Sequence, residues 1–144
     1  MIKVITQQDT FPLRSVALRN GATYDQCVLP TDGAAGIFHL GLYLDGELIC
    51  IGTFLPEDYP GKGEGGIRLR GMATEPDFAG KGFGAQLVNF AINKLQEEHA
   101  NYIWCNARAA AVGFYKKLGF EIVSAEFDIP GIGAHFNMLL LLNN

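Results

Sequence analysis

Along the chain, apolar positions recur with a period of two in several short runs and with helical spacing in three others. Met1 to Thr6 alternates as a short strand. Asp9 and Thr10 supply the cap for a helix whose first turn holds Pro12, where a missing N–H costs nothing. Leu13, Val16 and Ala17 give that helix its apolar face, and Asn20-Gly21 stops it. Residues 22–36 read as a loop with one helical turn near Tyr24.

Residues 37–44 and 47–55 are strand-like runs separated only by Asp45-Gly46, a pair suited to the positive φ angles of a type I′ hairpin turn. Residues 56–66 form a flexible connection. Residues 67–74 read as a strand, with Gly71 as a bulge. Phe83, Leu87, Val88, Ala91, Ile92 and Leu95 mark the buried face of a helix from about Gly82 to Glu98.

Residues 102–105 form a short strand, and a second amphipathic helix spans about Arg108 to Leu118, ending at Gly119. Residues 120–129 and 135–142 close the chain as two strands joined by Pro130 to Ala134. The order β-α-β-β-β-α-β-α-β-β predicts one α/β domain over 1–144, a mixed sheet of about seven strands flanked by helices.

Composition narrows the function classes. The 144 residues are 49% hydrophobic and 18% charged, enough for a packed core with neither disulfide nor metal as a staple. A net charge of −4, with no basic run, argues against a nucleic-acid partner. The opening residues are too polar for a signal peptide, and no apolar run is long enough to span a membrane. Cys27, Cys50 and Cys105 form no CxxC pair and read as small buried hydrophobes in a reducing, cytoplasmic setting, with no metal site.

The sharpest local feature is the run Phe78-Ala79-Gly80-Lys81-Gly82-Phe83-Gly84 between a strand and a long helix. Small residues let backbone fold around an anion while the free N–H groups of a helix start point outward. Alternatively, the glycines only permit the corner. A Walker-type loop needs Ser or Thr after a Lys following its last glycine, and Gly84 is followed by Ala85-Gln86. GKGFGA does fit the dinucleotide fingerprint G-x-G-x-x-A, but it does not follow its strand directly. No acidic residue closes the next strand at Cys105-Asn106.

LRGMATEPDFAGKGFGAQL (69–87) and ARAAAVGFYKKLGF (107–120) together resemble the GCN5-related N-acetyltransferases, the GNAT family. LRSVALRNG, FHLG and DIPGIGAHFNM are similar to a bacterial subgroup of it. The resemblance implies an acetyl-coenzyme A-dependent N-acyltransferase acting on a small-molecule or peptide amine. It places main-chain groups of Gly80, Lys81, Gly82, Phe83 and Gly84 on the pyrophosphate of coenzyme A, and Met72, Ala73 and Thr74 along its pantetheine arm. A backbone N–H near Met72 would polarise the thioester carbonyl.

The resemblance also places Ala79, Arg108 and Phe114 at the cofactor and Tyr115 as general acid. Two positions depart from the family pattern: Ala79 stands where Arg or Gln is usual, and Arg108 where Asn is.

The chemistry requires a base for the ammonium proton and an acid for the leaving thiolate. A phenol near pKa 10 sits about 1.5 units above a thiol, a gap of roughly 2 kcal/mol that hydrogen bonding in a dry site can offset. His135, His39 and Glu75 are the candidate bases, Glu75 acting through water; His99 at a helix end is explained by the dipole alone. Asp32 is a candidate contact for a cationic acceptor, or a turn residue. The other readings are a non-catalytic acyl-coenzyme A binding or sensing module and a nucleotide-binding protein. The terminal strand MLLLL is able to pair within the monomer or across a homodimer.

Overall fold

The computed structural model describes residues 1–142. Its strands are β1 (Ile2–Ile5), β2 (Phe38–Leu44), β3 (Glu47–Pro56), β4 (Gly66–Thr74), β5 (Tyr102–Arg108), β6 (Glu121–Ile122), β7 (Phe127–Ile129) and β8 (Gly133–Leu141), with helices α1 (Gln7–Leu13), α2 (Phe83–Glu97) and α3 (Val112–Lys117). All the strands belong to one mixed sheet, in the order β1-β2-β3-β4-β5-β8-β6, with β7 also on β8. Among the described residues only β4 and β5 run parallel, because α2 provides the crossover between them.

The β2–β3 hairpin forms as its turn chemistry demands: Asp45 has φ 51° and Gly46 φ 80°, the left-handed pair of a type I′ turn. Helix α2 buries Leu87, Val88, Ala91 and Leu95 against the sheet, at about 1.5–3 kcal/mol for each larger side chain. This face, with Leu40, Ile49, Phe54, Leu69 and Cys105 beneath it, is the main core. Leu13 of α1 packs on the opposite face with Ile5, Ile51 and Ala73.

Several local expectations are corrected. Thr6 caps α1, not Asp9 or Thr10: its side chain accepts from the Asp9 N–H while the Asp9 carboxylate accepts from the Thr6 N–H. Pro12 consequently lies inside the helix, which passes into a wider π turn at Arg14–Leu18 that turns Arg14 and Ser15 inward. Strand β5 continues to Arg108, where helix was expected, because every residue from Tyr102 to Arg108 pairs with β8. The alanine-rich stretch after it makes one 3-10 turn, Ala109–Ala111, before α3.

Residues 120–129 are not one strand. Between β6 and β7 the Ser124 hydroxyl accepts the Asn137 N–H at 2.9 Å, taking the place of a ladder carbonyl. Strand β8 lies between β5 on one side and β6 and β7 on the other, so the terminal apolar strand pairs within the chain.

The feature that shapes the site is at Gly71. Ile51 pairs with Ala73 and Thr53 with Arg70, so Gly71 and Met72 stand together opposite Gly52. Gly71 adopts φ 60°, and the extra residue shifts the alternation so that Met72 shares the α2 face with Leu69.

Candidate active site

The parallel ladder between β4 and β5 ends at Leu69 and Cys105, although β4 runs on to Thr74 and β5 to Arg108. From there, just ahead of the bulge at Gly71, the two strands part. Their facing edges carry backbone donors and acceptors without a ladder partner. A cavity of about 440 Å³ lies at this parting, lined by β4 from Arg68 to Thr74, by Asn106 to Arg108 of β5, and by Ala111, Phe114 and Tyr115. The lining comes from both faces of the sheet: Leu69, Met72 and Tyr115 belong to the α2 side, and Arg68, Arg70, Arg108 and His135 to the other.

On the α2 side Tyr115 is only 7% exposed, its ring edge-on to Phe114 at 5.0 Å and to Phe120 at 5.2 Å. The buried Cys105 thiol is its neighbour. Burial, then the neighbouring thiol, push the phenol well above its ordinary range, so it is protonated at any physiological pH. Burial likewise pushes Cys105 up to about 12. These groups can donate a proton and cannot act as anions.

The glycine turn lies where β4 passes into α2. Gly80 has φ 75° and Gly82, the N-cap residue of α2, φ 88°, conformations that a side chain would strain. No side chain caps α2, and the first backbone bond of the helix runs from the Gln86 N–H to the Gly82 carbonyl. The N–H groups at this helix start point outward along the positive end of the dipole. Gly84 is needed for a different reason: a Cβ there would lie 3.2 Å from Phe114 and 3.3 Å from the Met72 methyl. The turn and the cavity are thereby held in direct contact.

On the other face, His135 stands across the β5–β8 ladder from Arg108 and is buried. Its Nδ1 is 2.7 Å from the Gly133 carbonyl oxygen. A carbonyl only accepts, so Nδ1 carries a proton, and in the neutral tautomer this leaves the lone pair on Nε2. Phe127 stacks on the ring at 5.8 Å.

His39 sits elsewhere. Its Nδ1 is 2.7 Å from Thr53 Oγ1, which accepts from Arg14 Nη2 at 3.0 Å, and Arg14 in turn pairs with Asp32 at 2.7 Å. Burial, then the Arg14 charge, hold His39 below its ordinary pKa, with Asp32 opposing. Burial alone would raise the Asp32 carboxyl, but hydrogen bonds from Arg14 and the Leu29 N–H outweigh it and hold the group down.

Of the residues singled out from sequence, Met72, Ala73, Thr74, Arg108, Phe114, Tyr115 and His135 converge on the cavity. Ala79 to Phe83 form the adjoining turn. His39 and Glu75 do not line the cavity: the first belongs to the buried Arg14 network, and the second caps a 3-10 turn by accepting the Asp77 N–H at 2.9 Å. Asp32 is committed to Arg14 and so offers no contact to a cationic acceptor. Sequence reasoning missed Arg19, Arg68 and Arg70, which also line the cavity. The spacing of Arg68 and Arg70 by two within a strand was the available signal, since it puts both on one face. Among the described residues no His, Cys, Asp or Glu cluster suits a metal, and no helix is long and apolar enough to cross a membrane.

The model of the acetyltransferase (GNAT) family matches residues 7–120. Over 138 residues, 95% of this chain and 93% of the other, the sequence is 41% identical to an uncharacterized N-acetyltransferase, YitI, of Bacillus subtilis (strain 168). The fold is similar to that of a Lactobacillus plantarum protein put forward as an N-acetyltransferase, with TM-score 0.81, 18% identity and 99% of each chain covered. It is also similar to an aminoglycoside 6′-N-acetyltransferase complexed with coenzyme A, with TM-score 0.77, 13% identity, and 100% of this chain and 98% of that one covered. The family match and the bacterial relative, each extending over most of the sequence, show that this chain belongs to the GNAT acetyltransferase family.

Proposed function

We propose that the protein transfers the acetyl group of acetyl-coenzyme A to a primary amine of a small molecule or peptide, by direct attack of the amine on the thioester. The observation that carries this reading is the parting of β4 from β5, with Tyr115 buried on one side of it and His135 on the other. The residues present fit the cosubstrate: N–H groups from Gly80 to Gly84 suit its pyrophosphate, and the free edge of β4 from Met72 to Thr74 suits an extended amide-bearing arm. With Ala79 in the turn, that position offers main-chain atoms and no polar side chain. The solved relative that holds coenzyme A shares this fold.

In this reading His135 Nε2 takes the proton of the incoming ammonium, directly or through one water, while Nδ1 stays anchored on Gly133. The Met72 N–H stabilises charge developing on the carbonyl oxygen. Collapse of the tetrahedral species breaks the C–S bond; the Tyr115 hydroxyl gives its proton to the departing sulfur, and the second proton of the amide nitrogen returns to the phenolate, so the phenol is restored. The high pKa of Tyr115 keeps that proton in place until the thiolate forms, and the same apolar surroundings raise the proton affinity of the thiolate.

The test is amine-dependent release of free thiol from acetyl-coenzyme A. Turnover that persists undiminished in Tyr115→Phe would remove Tyr115 from this role. Tight acetyl-coenzyme A binding with no turnover on any amine would favour the sensing module instead.

A further inference from the structure

The cavity lining is one-sided in charge. Arg19, Arg68, Arg70 and Arg108 all contribute to it, and no Asp or Glu does. This contrasts with a chain whose net charge is −4. Arg68 is neutralised: its Nη1 meets Glu57 at 3.2 Å, and its guanidinium lies over Trp104 at 4.7 Å. Arg70 is not. Among the described residues it donates to the Thr31 hydroxyl at 3.1 Å and pairs with no carboxylate, and neither Arg19 nor Arg108 joins an ion pair.

Arg70 is also desolvated. Burial, then the nearby Arg68 charge and, more weakly, Arg19, act to lower its pKa, with Glu57 and Asp32 opposing. A half-buried guanidinium, beside two others and in contact with no carboxylate, is unfavourable in the free protein unless an anion arrives to share it.

The face on which these groups stand decides which anion. Arg68 and Arg70 lie on the side of the sheet away from α2, whereas the glycine turn opens at the α2 start. Coenzyme A phosphates held at that turn therefore do not reach Arg70. His135 shares the arginine face, so the acceptor amine must also approach from there. Around the arginines the walls are hydrocarbon: Leu18, Leu29, Ile129 and Ile132.

We propose that the acceptor is a small amino acid with an apolar side chain, its carboxylate held by Arg70 and Arg19 and its hydrocarbon part against the leucine and isoleucine wall. The proposal rests on the transferase reading of the cavity. A planar fork of N–H donors matches a carboxylate in two parallel bonds, and the same positive charges repel polyamines and aminoglycosides.

Two measurements separate this proposal from the reading beneath it. Binding of N-acetyl-L-leucine and of its carboxamide is compared by calorimetry on the intact protein, with acetyl-coenzyme A titrated in parallel. The acid should bind at least roughly tenfold more tightly than the amide, and Arg70→Gln should erase that preference. Arg19→Gln, an exposed position whose replacement leaves the core untouched, should reduce it severalfold in the same direction.

In steady-state assays L-leucine and L-methionine should be acetylated, with Arg70→Gln raising the amino-acid KM much more than it lowers kcat. The proposal is overturned by equal binding of acid and amide, by an undiminished preference in both variants, or by spermidine, kanamycin or O-phosphoethanolamine proving the better acceptor. Failure of acetyl-coenzyme A to bind would sink the transferase reading instead, and the acid–amide comparison would still decide the charge selectivity.

Discussion

Tyr115, in the wall of the cavity, has the buried Cys105 thiol as its neighbour, and burial holds both groups protonated. Tyr115 therefore enters the reaction as a donor that is never depleted by ionisation. Tyr115→Phe should lower kcat by about 10²–10⁴-fold, the range expected for a lost general acid, with little change in the KM for acetyl-coenzyme A. The phenyl ring fills the same space between Phe114 and Phe120, so stability should fall by only about 1 kcal/mol, checked by urea denaturation.

His135 should carry proton removal from the incoming amine through Nε2. His135→Gln should lower kcat/KM for the amine by about 10²-fold or more while leaving acetyl-coenzyme A binding largely intact, measured by steady-state assays and by calorimetry with coenzyme A.

Gly84 is tolerated for want of a side chain, and its replacement should act on the cosubstrate. Leucine in its place would force Phe114 and the Met72 methyl out of position, since even a Cβ comes within 3.2 Å of the former. Gly84→Leu should raise the KM for acetyl-coenzyme A by about tenfold or more, while the position keeps its helical conformation. Isothermal titration with coenzyme A gives the same answer without turnover.

The Arg14–Asp32 pair is a stability element. Asp32→Asn leaves the Arg14 guanidinium, 1% exposed, without its counter-charge, and should destabilise the fold by about 3–5 kcal/mol in urea. The network also sets an acid sensitivity. His39 titrates below its ordinary value of 6.5 in the fold, so the unfolded chain binds a proton first as pH falls. Stability should therefore be constant above that value and decline below it, by at most about 1.4 kcal/mol per pH unit from this group. His39→Asn should flatten that part of the curve.

How much of this was legible depended on whether the deciding chemistry was local. Asp45-Gly46 and the apolar stripe of α2 carry their own instructions within a few residues, and the structure follows them. Gly71 marked the bulge, beside which the strands part, because a residue free of Cβ sits easily at φ 60°.

The stretch Ala107 to Ala111 shows the opposite case. Locally it favours helix, but β8 lies alongside and claims Ala107 and Arg108 for the sheet. Asp32 read as a turn residue or a surface contact because its partner, Arg14, is eighteen residues away and is brought to it by the fold. Arg70 went unremarked for a related reason: nothing in the sequence tells that its carboxylate neighbours are spent on other cations.

The broken run after α3 has a consequence for life at high concentration. The outer margin of the sheet beyond β8 offers Glu121–Ile122, then the interruption at Ser124, then Phe127–Ile129. A stray chain adding itself there would find no stretch longer than three residues to zip onto before the rhythm fails. One serine hydroxyl, standing in for a carbonyl, thus works as a full stop against fibrous growth from that margin.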